Sequence, residues 1–366
     1  MTLNSETQSS SSPSLDIKSK LTSIHSQNFP QLLASGGVSL VVSTYQAGQL
    51  IIFRSDKEGL NTHFVGFKKP MGLAANRTRI ALGTQNSIIE FYNMPNAALK
   101  IEPLGKYDSC YLHRNTHITG NIDIHEMDWA NDELWFVNTR FSCLCTIDLA
   151  YSFLPRWQPP FISAIAPEDR CHLNGLAIVN NHPKYVTALG NTDDPQGWRE
   201  NKANGGIVID IETNEIICQG LSMPHSPRWY QGKLWILESG NGSLATIDIN
   251  TGKVETVAIF PGFTRGLAFG GNLAFIGLSQ VREKAIFSNL PLTKRLNERI
   301  SGIWVVNIHT GKTVAYLSFK GAVREIFGVG ILPKTLFPAI LMGNHSTLDG
   351  SYALSDEILK KVEFQS

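Results

Sequence analysis

Charge is scarce in this sequence: 17% of its 366 residues are Asp, Glu, Lys or Arg, against roughly a quarter in an average soluble domain. The 32 basic and 31 acidic residues nearly cancel, so there is no electrostatic footprint for nucleic acid or an anionic membrane, and neither is expected as a partner. No stretch reaches the roughly 18 apolar residues that a membrane helix needs. Cysteine is sparse too, five residues at Cys110, Cys143, Cys145, Cys171 and Cys218. The count is odd, and the one close pair, Cys143 and Cys145, would sit about 7 Å apart on a strand, awkward for a disulfide and incomplete as a metal clip. Reduced, mostly buried thiols are expected, and with them a cytoplasmic chain. Residues 1–24 are polar and lack the apolar run of a secretion signal, which reads as a disordered leader. A Gly-rich phosphate loop, a Gly-x-Ser-x-Gly elbow and a His-Glu-x-x-His zinc helix are all missing.

What is plentiful is glycine (31 residues) and proline (17), the punctuation of many short strands. A phrase recurs along the chain: a small apolar run, a turn, an apolar strand, then a second strand ending in Asp. It reads Met71-Gly-Leu-Ala74, Glu126-Met-Asp-Trp129, Asn174-Gly-Leu-Ala177, Ser226-Pro-Arg-Trp229 and Arg265-Gly-Leu-Ala268. The spacing from Ala74 onward is 55, 48, 52 and 39 residues. Units of this size with four strands each are β-propeller blades, which bury both faces only by stacking radially. Hairpin turns such as Asp248-Ile-Asn250-Thr-Gly252 and Asn307-Ile-His309-Thr-Gly311 join the strands.

The expected fold is all-β, a single propeller over residues 25–345 followed by a C-terminal tail, 346–366. Six blades are favoured. The first blade takes its second and third strands from Val38–Tyr45 and Gln49–Phe53, its fourth from His63–Phe67, and its innermost strand from Ile326–Leu332 at the far end of the chain. Pairing of N- and C-terminal segments closes the ring and removes open edges. If Pro338–Met342 were a further blade strand, seven blades would follow. Phe29–Ser35 reads as a short helix. Trp129, Trp135, Trp229, Trp235 and Trp304 alternate with apolar neighbours and belong to the core between blades.

Several longer strings are more specific than the repeat. They are Ser43-Thr-Tyr-Gln-Ala-Gly48, Asn138-Thr-Arg-Phe-Ser-Cys143, Ala166-Pro-Glu-Asp-Arg-Cys-His-Leu-Asn-Gly175, Ser222-Met-Pro-His-Ser-Pro-Arg-Trp229 and Pro261-Gly-Phe-Thr-Arg-Gly-Leu-Ala268. In these the chain, from about residue 25 to 335, resembles a bacterial family of conserved hypothetical proteins with a β-propeller fold. The resemblance implies no activity, so the chemistry has to be read from the residues.

The residues just ahead of each repeat phrase should converge at one mouth of the central channel. They are His125-Glu126, His172-Leu-Asn174, His225-Ser226 and Thr264-Arg265, with Glu325 ahead of the last inner strand. His125 and His225 occupy one register, four residues before Trp129 and Trp229, and His172 would match with a one-residue bulge. Three imidazoles from different blades could hold one divalent metal such as zinc with an open position. Peptidylglycine amidating lyase, a six-bladed propeller, is similar in binding zinc through channel histidines, an analogy of architecture only. Arg265 and Arg228 instead suit a carboxylate or phosphate, and two cations oppose a bare metal unless Glu126, Asp128 or Glu325 compensates. A structural role, with each His fixing a neighbouring blade's backbone, is the third reading. The polar insertion 191–204 carries Trp198 and Arg199 and suits a lid or a specificity loop.

The sequence therefore supports a ligand or metal pocket at the channel, of a lyase or hydrolase acting on a small anionic or peptide-like substrate. His125, His172, His225 and Arg265 are its catalytic candidates, and the three histidines its metal candidates. Arg228, Trp198, Arg199, Glu126 and Asn174 are its substrate contacts. The alternative is a non-catalytic propeller that binds a protein, peptide or sugar. His113 and His117, spaced as ligands on a helix would be, lie among turns and carry little weight.

Overall fold

Units that are each apolar on both faces are covered only when they pack side by side around an axis. The computed structural model, which describes residues 21–56, 59–280, 289–343 and 345–362, does so with six sheets. The protein is a six-bladed β-propeller. From blade 1 to blade 6 the inner strands are Gly328–Pro333, Leu73–Ala75, Ile124–Ala130, Leu173–Val179, Pro224–Tyr230 and Phe263–Gly270. Each packs on the inner strands of its two neighbours, and that of blade 6 packs on that of blade 1.

The ring closes as the sequence implies. Gly328–Pro333 pairs antiparallel with Val38–Thr44, from Ser43 opposite Gly328 to Val38 opposite Pro333. Gln49–Asp56 and Gly59–Gly66 complete that blade. Pro338–Leu341 does not found a seventh blade. It adds in parallel to Ser109–Ile118 and caps the outer edge of blade 2. At the outer edge of blade 6, Ser23–His25 pairs with Phe319, Ser318 and Leu317, so residues 23 and 24, read as leader, belong to the sheet. Residues 1–20 of that leader lie outside the described residues. Covered edges present no free row of backbone donors to a second chain. The short helix Phe29–Gly36 forms as expected, ends at Gly37 with φ +62°, and seats Phe29 and Leu33 in the core between blades 6 and 1.

Among the described residues the core has one slab at each of the six blade interfaces, with smaller clusters outside blade 2 and around Trp198. Leu40, Phe53, Phe275 and Val305 fill the joint of blades 6 and 1, and Ile52, Leu82 and Phe91 that of blades 1 and 2. Ala81, Ile124 and Phe136 fill the next, then Val137, Leu144 and Val186, then Val208 and Ile236. Trp235, Ile276 and Trp304 complete the circle. Each Val, Leu, Ile or Phe among them contributes roughly 1.5–3 kcal/mol through burial. The hairpins obey local chemistry. Asp248 Oδ1 accepts from the amides of Asn250 and Thr251, Asn307 Oδ1 from those of His309 and Thr310, and Gly252 and Gly311 supply the positive φ (+69° and +67°) that closes each turn.

All five cysteines are free and buried. His113 and His117 lie on a strand, not among turns, and bond Thr116 and the Ser152 carbonyl. Among the described residues no helix is long and apolar enough to cross a membrane. Part of the C-terminal tail lies against blade 2, where Lys100 and Arg114 donate to the carbonyls of Gly350 and Ser351.

Candidate functional site

Two cavities occupy the ends of the channel, and they share no lining residue. The one at the mouth where the inner strands begin measures about 570 Å³ and is lined by His125, His172, His225, Arg265, Trp198 and Arg199, with Tyr45, Lys69, Asp123, Asp169, Glu325 and Phe327. The other, about 620 Å³, is mostly apolar and carries Arg228 and Asp128. The expected site residues therefore divide. Six meet at the upper mouth, Arg228 opens on the lower one, and Glu126 and Asn174 line neither.

The inner strands explain the division. Ile124, Leu173, Pro224 and Phe263 hold equivalent places, facing Asn138, Ala188, Glu238 and Ser279 on the next strand. His125 and His225 follow them and so share a register, as expected. The matching residue of blade 4 is Asn174, not His172. His172 matches Asp123 and Met223, and all three have left-handed backbones (φ +52°, +53° and +50°). The expected bulge does exist, between Leu173 and Gly175, with counterparts in blades 3, 5 and 6. It falls after His172 and cannot move it into register, but it re-aims the side chains beyond it.

His125 and His225 are anchored in the same way. Thr139 Oγ1 donates to the Leu173 carbonyl (2.6 Å), so its contact with His125 Nδ1 (2.9 Å) must be one in which the hydroxyl accepts. His125 Nδ1 therefore carries the proton, which it also presents to the Asp123 carbonyl at 3.0 Å. In blade 5, Ser239 Oγ donates to the Thr264 carbonyl and accepts from His225 Nδ1 (3.0 Å), which also faces the Met223 carbonyl at 3.0 Å. His172 Nδ1 donates to the Asp169 carboxylate at 2.9 Å, and Trp198 Nε1 donates to the same group at 3.1 Å. In His125 and His225, as neutral rings, Nε2 is thus the nitrogen with a free lone pair. Burial holds His125 and His225 well below the usual histidine range, and the Arg265 charge lowers both further. They are neutral at physiological pH.

The rings are close. His125 and His172 meet edge to face at 4.8 Å, His172 lies 4.4 Å from Trp198, and His125 lies 5.2 Å from Phe327. Trp198 comes from the insertion, of which it and Arg199 line the cavity; Trp198 packs with Leu189, Met223, Phe263 and Leu290. Arg199 sits at the rim over that indole, at 4.8 Å.

Arg265 stands among them with its guanidinium 3.5 Å above the Phe327 ring. It donates no hydrogen bond to any described residue, and its Nη2 is buried without a partner. Burial pushes its pKa down to about 10. An ion pair, by contrast, holds Arg228: Nη2 donates to Glu126 at 2.8 Å and Nη1 to the carbonyls of Leu176 and Pro227. Asn174 joins blades 4 and 5, donating to the Pro224 carbonyl (3.0 Å) and accepting from Thr187 (2.6 Å).

A metal fits poorly here. Among the described residues no three His, Cys, Asp or Glu side chains are placed to hold one, and a guanidinium that depresses both imidazoles would repel it. Sequence reasoning missed Thr139 and Ser239, although a signal was present: each follows its histidine by 14 residues.

No curated protein matches the sequence. Among solved structures, a chain of a nidogen/laminin complex is similar with a TM-score of 0.52 at 9% identity, over 80% of this chain and 97% of that one. A protein of unknown function from Bacteroides caccae is similar to the same degree, TM-score 0.52 and 9% identity, over 81% of this chain and 98% of that one. At such identity the likeness extends to the fold alone. Residues 27–341 match the family described as Domain of unknown function (DUF4915), and the chain belongs to that family.

Proposed function

We propose that the upper mouth of the channel binds a small organic anion, with Arg265 as the group that grips it. The observation that carries this is the guanidinium itself: it lines a cavity, and its Nη2 is buried without a partner. A buried guanidinium nitrogen left so is costly unless something else accepts from it, and a bidentate carboxylate or phosphate suits its fork. The neutral imidazoles accept hydrogen bonds from the same ligand through Nε2. The arrangement also suits proton transfer. A ring such as His225 would take a proton from the bound molecule while Arg265 stabilises the negative charge that develops, as in a lyase or hydrolase that needs no metal.

The test is thermal unfolding of the full chain against a panel of small carboxylates and phosphate monoesters, with Arg265→Gln beside it. A ligand at about a hundred times its Kd stabilises the folded state by about 2.7 kcal/mol. At least one acid should raise the wild-type midpoint and leave that of Arg265→Gln unmoved. Stoichiometric metal in protein prepared without a histidine tag, lost in His125→Ala and His225→Ala, would overturn the reading. Indifference of both proteins to every acid would favour a scaffold that binds a macromolecule.

A further inference from the structure

Arg265 is not the only charged side chain of this cavity with a buried polar atom that lacks a hydrogen-bond partner. Glu325 also lines it. Its neighbour Tyr45 is neutral, and burial together with the Glu325 charge pushes the Tyr45 pKa upward. Glu325 Oε2 is buried and has no partner. The remaining charges here are accounted for. Asp123 binds Lys69 at 2.6 Å and Arg140 at 3.4 Å, Asp169 binds His172 and Trp198, and Arg199 is exposed at the rim. One cation and one anion thus share a cavity and feel each other's charge, yet no direct ion pair or hydrogen bond joins them. Phe327 stands with them, its face under Arg265 at 3.5 Å and Tyr45 edge-on to it at 5.7 Å.

Two opposite charges left apart in one cavity are complementary to a ligand that carries both. We infer that the molecule bound at this mouth is a zwitterion of the amino acid kind, its carboxylate on Arg265 and its ammonium group on Glu325. This rests on the anion-pocket reading above and adds the second charge. The apolar wall of Leu189, Trp198, Met223 and Phe263 takes the side chain, and a cavity of about 570 Å³ leaves room for a large one.

The experiment is isothermal titration of the full chain with free amino acids, α and ω, each beside its N-acetyl derivative and its amide. At least one free amino acid should bind, its N-acetyl form about tenfold or more weaker, since a hydrogen-bonded charge is lost, and its amide weaker still. In Glu325→Gln the advantage of the free amine over the acetylated form should vanish while the acetylated acid keeps its affinity. Blocked probes make the first comparison on the unmodified protein, so it stands even if the variant does not fold. Should acetylated acids bind as tightly as free ones, or Glu325→Gln keep the preference, the zwitterion inference fails and the anion pocket survives. If no carboxylate binds at all, both fall.

Discussion

In two of the three channel histidines, His125 and His225, a single hydroxyl decides the state of the ring. Because Thr139 and Ser239 spend their only proton on a neighbouring blade's carbonyl, they fix the imidazole beside them as the Nδ1–H tautomer and turn the basic nitrogen outward. Ser239→Ala should cost about 1–3 kcal/mol in urea unfolding, because the Thr264 carbonyl loses its donor, and an undiminished midpoint would show that the contact is incidental. The neutrality of these rings also has a sign in pH. Unfolded histidine titrates near 6.5; in the fold His125 and His225 lie well below that, and burial and then Arg54 bring His63 to about 4. Above about pH 6.5 both states are neutral and the linkage is silent. Below it the unfolded chain binds protons that the fold refuses, so stability falls with pH. Glu126 and Asp128, raised by burial, act in the opposite sense, and a variant comparison cancels them. His225→Asn installs the residue that blade 4 uses at this register. Between pH 7 and pH 5 the wild type should lose up to about 2 kcal/mol more than this variant; equal losses would mean that His225 is not held neutral.

At the scale of the strand, most of the architecture was legible because periodicity and turn chemistry are local. The repeat phrase marks the inner strands, and Asp248 and Asn307 announce their own turns. Closure by the far end was legible too, since the first blade lacked an inner strand and an apolar run remained to supply it. The role of Pro338–Leu341 was not, for an edge strand and a blade strand have the same pattern and differ only in what lies beside them. The register of His172 was hidden for a similar reason: a left-handed residue and a bulge leave no mark in spacing. Closure carries a prediction. A chain ending at residue 324 loses the inner strand of blade 1 and its pairing with Val38–Thr44, and should fail to give a cooperative unfolding transition. One ending at 345 keeps both late strands and should unfold within a few degrees of the full chain. Cooperative folding of the shorter form would mean that the other five blades stand without closure.

For the molecule as a whole, the channel is a ring of backbones whose interior must be filled, and this chain fills its middle with an ion pair. Arg228 reaches from blade 5 past the Leu176 carbonyl of blade 4 to Glu126 of blade 3, between two cavities that have no lining residue in common. The sequence placed both residues near the channel but could not say that they would satisfy each other, and so read as substrate contacts what the structure uses as a cross-tie. Arg265, one residue beyond Thr264, sits at the register of Glu126 and Ser226 and feels the same carboxylate, yet no described residue accepts a hydrogen bond from its buried Nη2; the chain pairs one channel arginine and leaves the other facing the cavity. Removing the paired one should expose the cost of the pair. Arg228→Met leaves buried Glu126 and half-buried Asp128 without their cation, and should destabilise the fold by about 3–5 kcal/mol near pH 7. Losing the cation raises both carboxyls further, so they bind protons more readily in the fold than in the unfolded chain, and the deficit should shrink as pH falls from 7 toward 5. Adding Glu126→Gln removes one of the two charges and should return a large part of the loss at pH 7. Urea unfolding of the three proteins at both pH values checks this. A deficit that neither acid nor the second substitution relieves would assign the loss to packing of the Arg228 stem between blades rather than to the charge it carries.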